Sequence, residues 1–176
     1  MADDKSYKES LKHITSFIFD IDGVLTDGSL LITSTGEMLR SMNVKDGYAL
    51  KQALNKSYNV CVISGGTNEG VRIRLNHLGV KSVYLGAHKK KDQFLDYIKT
   101  ENIKPEHILY MGDDIPDIPV MQLVGLVACP QDAVPEIKAL SHYISHKNGG
   151  KGCVRDVIEQ VLKVRGDWDG HFDASL

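Results

Sequence analysis

Residues 15–23 read TSFIFDIDG, an apolar run rich in β-branched and aromatic side chains that ends in two aspartates. Its length and composition predict a buried strand over residues 15–21. Four similar runs predict strands over 60–63, 82–84, 108–111 and 126–128. Segments with helical spacing lie between and after them, over 48–56, 67–78, 91–99, 118–124, 135–140 and 154–164. Strands that alternate with helices predict an α/β fold, a Rossmann-like parallel sheet flanked by helices.

Two segments interrupt this alternation. Residues 29–44, SLLITSTGEMLRSMNV, contain two extended runs around the turn signal Ser34-Thr35-Gly36, which predicts a β-hairpin inserted after the first strand. The glycine cluster 149–152 predicts a flexible C-terminal segment from about Gly149. A length of 176 residues is typical of one domain, so we assign residues 1–176 to a single domain.

Composition narrows the classes of function. The chain has 21 basic and 23 acidic side chains and no basic stripe, so we expect neither nucleic-acid nor membrane-surface binding. No apolar run approaches the roughly 18 residues of a membrane span. The three cysteines are far apart and form no C-x-x-C motif, which predicts a reducing compartment and a cytoplasmic protein. The expected partner is a small molecule.

Polar residues follow each of the first four predicted strands, where open α/β sheets bind ligands. They are Asp20-Ile21-Asp22-Gly23, Ser64-Gly65-Gly66, the lysines 89–91, and Gly112-Asp113-Asp114 with Asp117. Taken singly, each motif is also typical of a capped turn or a solvated helix start. A calcium loop from Asp20 is disfavoured, because its twelfth position is Leu31 instead of glutamate. Their order on successive strands favours one shared site.

This order of motifs, DxDG, serine, lysine and GDDxxD, resembles the haloacid dehalogenase superfamily of phosphohydrolases. More narrowly, the segments DIDGVLTDG, NVKDGYAL, VISGG, GDDIPDIPVM and GGKGCVRDVIEQVL resemble the 3-deoxy-D-manno-octulosonate 8-phosphate (Kdo 8-phosphate) phosphatases. The resemblance covers nearly the whole chain. It implies a Mg²⁺-dependent phosphomonoesterase that releases Kdo and inorganic phosphate during synthesis of a lipopolysaccharide precursor.

The resemblance also implies a role for each catalytic side chain. Asp20 is expected to attack phosphorus and form an aspartyl-phosphate, which divides a slow hydrolysis into two easier steps. Asp22 is expected to act as general acid and then general base. Ser64 is expected to hold the phosphate and Lys90 to balance its negative charge. Lys90 is chosen over its two lysine neighbours because it follows Gly86 by four residues, as in the family.

The expected cofactor is Mg²⁺, which prefers oxygen ligands and retained waters. By resemblance, the carboxylates of Asp20 and Asp113 and the backbone carbonyl of Asp22 bind it. Asp114 and Asp117 are expected nearby, as outer or water-mediated ligands.

The resemblance places the sugar acid among a larger group of residues. They are Asp22, Asn43, Val44, Lys45, Asp46, Gly47, Lys51, Gly65, Gly66, Arg74 and Lys90. Members of the family carry arginine where this chain has Gly66 and Lys51, so other eight- or nine-carbon 2-keto-3-deoxy sugar acid phosphates stay open as substrates. Arg72 or Lys45 would compensate for the missing charge, while a solvated helix face explains Arg72 and Arg74 equally well.

The spacing of the motifs predicts a capless enzyme. Asp20 and Ser64 are 44 positions apart, and Ser64 and Lys90 are 26 apart, which leaves no room for an inserted cap domain. The resemblance implies a homotetramer whose neighbouring subunits cover each site. We therefore expect the hairpin 29–44 and the tail segment 149–155 to reach towards a neighbour's active site.

Two other classes of function were weighed. A phosphorylation switch of the receiver type would carry its acidic pair after the first strand and its acceptor after the third, unlike this order. A non-catalytic oligomeric scaffold is disfavoured because none of the expected catalytic positions is lost.

Overall fold

The structure is a computed structural model that describes residues 7–168, so both ends of the predicted domain lie outside the described residues. Its main sheet has six strands in the order β5-β4-β1-β6-β7-β8. They are β1 (Ser16–Phe19), β4 (Asn59–Ile63), β5 (Ser82–Tyr84), β6 (Ile108–Met111), β7 (Leu126–Cys129) and β8 (Tyr143–Ile144). All neighbouring pairs are parallel, so the predicted α/β sheet is confirmed.

Seven helices accompany the sheet in the described part of the chain. They are α1 (Tyr7–Leu11), α2 (Val44–Asn55), α3 (Glu69–His77), α4 (Lys90–Thr100), α5 (Ile118–Met121), α6 (Pro135–Leu140) and α7 (Cys153–Arg165). The sequence patterns missed α1 and β8, which are the shortest elements of their kind apart from α5 and the hairpin strands. Within residues 7–168, no helix has both the length and the apolar character that a bilayer span requires.

Two element boundaries differ from prediction for local physical reasons. β1 ends at Phe19 instead of residue 21, because the Asp20 carboxylate accepts the N–H of Ile21 at 2.6 Å and turns the chain out of the sheet. α2 begins at Val44, four residues before the predicted start at 48. Asn43 caps it by accepting the Lys45 N–H at 2.9 Å.

The sheet is covered on both faces, as expected for parallel strands. Phe17 and Phe19 of β1 lie in a core cluster with α1, α2, α3 and α7, whereas Ile18 lies in a cluster with α4, α5 and α6. All three side chains are fully buried. β1 therefore runs through the centre of the molecule, and its carboxyl end has a fixed position.

The inserted segment holds a separate two-stranded sheet. β2 (Leu31–Ile32) pairs antiparallel with β3 (Met38–Leu39), in a ladder much shorter than the predicted hairpin 29–44. Leu31 and Ile32 are 69% and 65% exposed. The hairpin therefore presents apolar side chains to its surroundings.

The glycine segment 149–152 lies against the loop that follows β1. Gly149 N–H donates to Asp132 Oδ1, and Gly150 N–H donates to the Val24 carbonyl, each at 2.9 Å. A Cβ at Gly149 would lie 1.9 Å from the Gly23 carbonyl oxygen, so only glycine allows this approach. The expected flexible segment also contains α7, whose apolar face is buried in the core. A truncation from Gly149 would thus remove part of that core.

Gly125, just before β7, offers a test of close backbone packing. A Cβ there would lie 2.1 Å from the carbonyl oxygen of Glu106. We expect Gly125→Ala to lower the free energy of unfolding by about 1–3 kcal/mol, as overpacking does, in urea denaturation. Gln122→Ala, an exposed position in the same connection, should change it by less than about 0.5 kcal/mol. Equal stability of the two variants would contradict the packing described for this connection.

Candidate active site

The four polar loops of the sequence meet at the carboxyl end of the sheet. They line one cavity of about 440 Å³. The predicted site residues that line it are Asp20, Asp22, Ser64, Gly65, Gly66, Lys90, Asp113, Asp114 and Asp117. Gly28, Ala87, His88 and Pro116 also line it and had no predicted role, although His88 directly precedes the lysines that follow the third strand. The topology therefore brings the four motifs into one crevice.

Asp20 lies at the bottom of this crevice, directly after β1, and is 7% exposed. The chain then turns at Gly23, whose φ is +86°. A Cβ at Gly23 would lie 1.9 Å from Asp113 Oδ2. Glycine at this position therefore serves two needs, since it permits the left-handed turn and lets the Asp113 carboxylate approach the β1 loop.

Lys90, the first residue of α4, contacts two carboxylates. Its Nζ lies 2.8 Å from Asp20 Oδ2 and 2.7 Å from Asp117 Oδ1. Burial lowers the pKa of Lys90, but the two carboxylates outweigh it and raise the pKa above its ordinary value. Lys90 is therefore charged. It is also the buried one of the three lysines, since its neighbours Lys89 and Lys91 are exposed.

Asp117 is fully buried and accepts hydrogen bonds on both oxygens. Lys90 and the Tyr110 hydroxyl donate to Oδ1, while the N–H groups of Asp113 and Asp114 donate to Oδ2. A Cβ at Gly112 would lie 2.4 Å from this carboxylate. Asp117 thus ties β6, α4 and the loop after β6 together. Tyr110 could not be identified from sequence, because it appears there as one more apolar strand residue.

The carboxylates of Asp20, Asp113 and Asp117 converge, with oxygens within 4.8 Å of one another. Burial, followed by the charges of Asp20 and Asp117, raises the pKa of Asp113 to about 7. Burial and the Asp117 charge raise the pKa of Asp20 to about 6, although Lys90 opposes them. Asp113 Oδ1 is buried without a hydrogen-bond partner among the described residues. An unpartnered oxygen in an acidic group of this kind fits a hard cation such as Mg²⁺.

The loop after β4 completes the phosphate side of the crevice. Ser64 is 2% exposed, and its Oγ accepts the Gly66 N–H at 3.3 Å. A Cβ at Gly65 would meet nothing within 4 Å. A buried hydroxyl in an open loop, at the start of the connection from β4 to α3, is suited to holding phosphate oxygens.

Of the residues predicted to bind the sugar, Asp22, Gly65, Gly66 and Lys90 line this cavity, whereas the seven on and before α2 and on α3 do not. Asn43 Nδ2 donates to the Gly150 carbonyl at 3.3 Å, and Asp46 Oδ1 accepts the Arg155 N–H at 2.8 Å. Burial raises the pKa of Asp46 to about 6, although backbone N–H groups of the 152–155 turn lower it. Asn43 and Asp46 therefore fasten α2 to the segment 150–155.

The other predicted sugar-binding residues on α2 and α3 also lie outside the cavity that contains Asp20. Gly47 lies next to Arg74, since a Cβ there would be 3.1 Å from Arg74 Nη2. Val44 is 61% exposed, and Lys51 is half-buried on α2. Lys45 lines a separate cavity of about 460 Å³.

Arg40 is a site residue that the sequence reasoning did not identify. It follows β3 of the hairpin, and its side chain is 7% exposed. Its Nε and Nη2 donate to the two oxygens of Asp22 at 2.7 and 3.0 Å. The only signal in the sequence is one cation in the middle of an otherwise uncharged run, 38–42.

The raised pKa of Asp113 predicts how stability depends on pH. Between its ordinary value of 3.8 and about 7, the folded protein keeps a proton that the unfolded chain has lost. Raising the pH through this window therefore lowers the free energy of unfolding. In EDTA we expect the melting temperature to fall across it, and to fall less in Asp113→Asn, by calorimetry. Mg²⁺ should stabilise the protein most at the upper end. An equally steep fall of the melting temperature with pH in both proteins would contradict the assignment of the raised pKa to Asp113.

Known proteins are similar to this chain in sequence and in structure. Residues 86–158 match a family model described as haloacid dehalogenase-like hydrolase. The 3-deoxy-D-manno-octulosonate 8-phosphate phosphatase of Salmonella typhi is 37% identical over 90% of this chain and 84% of its own length. The crystal structure of such a phosphatase from Yersinia pestis has a TM-score of 0.91 and 32% identity, covering 94% of this chain and 90% of that one.

A second solved structure holds ligands. It is the phosphatase of the same name from Moraxella catarrhalis in complex with a magnesium ion, a phosphate ion and a KDO molecule. Its TM-score is 0.90 at 29% identity, with 95% of this chain and 96% of that chain covered. With the identity, coverage and site described above, the chain belongs to the family of 3-deoxy-D-manno-octulosonate 8-phosphate phosphatases.

Proposed function

We propose that this protein hydrolyses Kdo 8-phosphate to Kdo and inorganic phosphate through an aspartyl-phosphate at Asp20. The observation that carries the proposal is the group of Asp20, Asp113, Asp117 and Lys90 at the carboxyl end of the sheet, in which all but the half-buried Asp113 are buried. The names of the relatives supply the substrate, and the Moraxella catarrhalis structure contains a magnesium ion, a phosphate ion and a KDO molecule.

The first step is attack of an Asp20 carboxylate oxygen on phosphorus. Lys90, 2.8 Å from Asp20 Oδ2, favours the ionised nucleophile and offsets charge on the phosphoryl oxygens. Ser64 and the following amides hold those oxygens. Asp22 gives a proton to the leaving sugar oxygen, and later takes one from the water that attacks the aspartyl-phosphate. The bond from phosphorus to Asp20 then breaks and releases inorganic phosphate.

Mg²⁺ is the proposed cofactor, held by the carboxylates of Asp20 and Asp113 and the backbone carbonyl of Asp22. When bound, it supplies positive charge that reduces repulsion between carboxylates and phosphate. Both oxygens of Asp117 already accept hydrogen bonds, from Lys90 and from N–H and O–H donors. This arrangement suits an outer or water-mediated ligand of the metal ion. Asp114 is exposed and caps the next turn through the Ile115 N–H, at 2.8 Å.

Specificity for the sugar acid is proposed to depend on more than one subunit. In this chain, the segment 43–47 and Arg74 lie outside the cavity that contains Asp20, so they would bind the sugar only if assembly or closure brought them there. Gly66 and Lys51, where family members carry arginine, keep other eight- and nine-carbon 2-keto-3-deoxy sugar acid phosphates as alternative substrates. A panel of such phosphates would distinguish them by kcat/KM.

We further propose a homotetramer in the cytoplasm. The exposed hairpin side chains, Ile32 with Met38 on one face and Leu31 with Leu39 on the other, are apolar surfaces of the kind that assembly buries. Continuity of the hairpin with Arg40, which contacts Asp22, would connect such an interface to the site. The cytoplasmic placement rests on Cys61, Cys129 and Cys153, which are buried and unpaired.

Replacement of the nucleophile tests the chemistry. We expect Asp20→Asn to lower kcat for Kdo 8-phosphate by at least about a thousand-fold, because no aspartyl-phosphate can form. Asp92→Asn, an exposed carboxylate on α4, should keep activity. EDTA should abolish turnover of the unaltered protein and Mg²⁺ should restore it. Phosphate release by Asp20→Asn at the normal rate would exclude the mechanism. If the unaltered protein instead formed a stable phosphoprotein without turnover, the result would favour a phosphorylation switch.

The hairpin interface has its own test. The double variant Leu31→Asp, Ile32→Asp places one charge on each apolar face of the exposed hairpin. It is expected to dissociate the tetramer, as measured by light scattering after gel filtration. Ser34→Asp, Thr35→Asp adds the same two charges at the exposed hairpin turn and, as the charge-matched control, should leave the tetramer intact. An unaltered protein that is monomeric, or a double variant that stays tetrameric, would rule out this interface.

A further inference from the structure

Arg40 differs from the apolar residues of the hairpin strands in having a side chain that is almost completely buried. The hairpin residues Leu31 and Met38 are 69% and 47% exposed, whereas the Arg40 side chain is 7% exposed. Its Nη1 donates to the Met38 carbonyl at 3.1 Å, which fixes the guanidinium relative to its own strand. Its other two nitrogens bind the Asp22 carboxylate as a fork, the geometry with the highest directional specificity for a carboxylate.

The space for this ion pair depends on Gly66. A Cβ at position 66 would lie 3.1 Å from Arg40 Nη2 and 3.3 Å from Asp22 Oδ2. Both distances are tighter than ordinary van der Waals contact, so any side chain at this position would press on the guanidinium and the carboxylate together. The glycine therefore leaves the pair room directly beside Ser64, whose Oγ would lie 3.7 Å from the same Cβ.

Asp22 has little else to hold its carboxylate in place. Its side chain is 35% exposed, and Thr26 Oγ1 lies at the weak distance of 3.5 Å from Oδ1. Among the described residues, the short hydrogen bonds to this carboxylate are those from Arg40. Without them, the carboxylate would be free to rotate about its side-chain bonds.

We propose that Arg40 is a positioning residue that orients the Asp22 carboxylate towards the leaving oxygen. The inference rests on the proposed function, in which Asp22 is the general acid and base. Arg40 can act in both protonation states, since a carboxylic acid that donates from one oxygen still accepts an N–H on the other. The hairpin thereby orients the proton donor, while β1 positions the nucleophile Asp20.

The test separates proton donation from other kinds of damage by varying the leaving group. Phenyl phosphate and p-nitrophenyl phosphate have nearly the same shape and lack a carboxylate. The phenolate of the first is the more basic, so its departure depends more on protonation. The measured quantity is kcat/KM, which includes steps only up to transfer of the phosphoryl group to Asp20. Kdo 8-phosphate, with an alkoxide leaving group, is the third substrate.

We expect Arg40→Met to lower kcat/KM by about 10- to 100-fold for phenyl phosphate and Kdo 8-phosphate, the range for a misplaced catalytic group. For p-nitrophenyl phosphate the loss should stay below about threefold. Arg40→Lys keeps the charge but not the fork, and should give a smaller loss with the same order of substrates. Lys104→Met, which removes one exposed cation before β6, should leave all three values unchanged.

Asp22→Asn separates failure of this inference from failure of the proposed function. If Asp22→Asn affects all substrates equally, the acid role of Asp22 itself is wrong. If it is selective but Arg40→Met lowers all substrates equally in a folded protein, only the role of Arg40 is overturned. Circular dichroism and gel filtration verify fold and assembly. Should Arg40→Met fail to fold, Arg40→Gln carries the same comparison with the same deciding outcomes.

Discussion

The contact of Lys90 with Asp20 and Asp117 is the interaction on which the rest of the site depends. Three carboxylates converge at the carboxyl end of a buried sheet, and one lysine within 2.8 Å of two of them is their direct counter-charge in the described part of the chain. Removing charges from water is costly unless they are paired and hydrogen-bonded. Burial, followed by the charge of the neighbouring carboxylates, raises the pKa values of Asp20 and Asp113, although Lys90 opposes both, and one lysine leaves three carboxylates with excess negative charge. This unbalanced negative charge is what a divalent cation would neutralise.

The surrounding fold holds this charged group in place from several directions. Gly23 lets the loop after β1 approach Asp113 of the loop after β6, and Gly112 lets Asp117 fold back against the end of β6, because any Cβ at either position would overlap a carboxylate. The inserted hairpin reaches Asp22 through Arg40. On the far side, Asp46 accepts the N–H of Arg155 and so joins the start of α2 to the start of α7. The nucleophile is therefore positioned by the sheet, and the proposed proton donor by the insertion.

Much of the fold was predictable because parallel strands, buried on both faces, appear in the sequence as separate apolar runs. The same logic predicted that Asp20, Ser64, Lys90 and Asp113 share one cavity, since each follows such a run. Arg40 was not predictable, because its contact with Asp22 spans a hairpin whose orientation no local pattern encodes. The position of Asn43 and Asp46 was also unforeseen, since hydrogen bonds to a segment more than a hundred residues away leave no signal in local residue spacing.

A crystal structure with Mg²⁺ and beryllium fluoride, which imitates a phosphoryl group on a carboxylate, tests the central claim most directly. The account predicts beryllium bonded to an Asp20 carboxylate oxygen, with the Lys90 ammonium and the Ser64 hydroxyl on its fluorides. It also predicts the metal ion against Asp20 and Asp113. Beryllium fluoride bound to another side chain, or a metal ion that leaves the Asp113 carboxylate without contact, would contradict it.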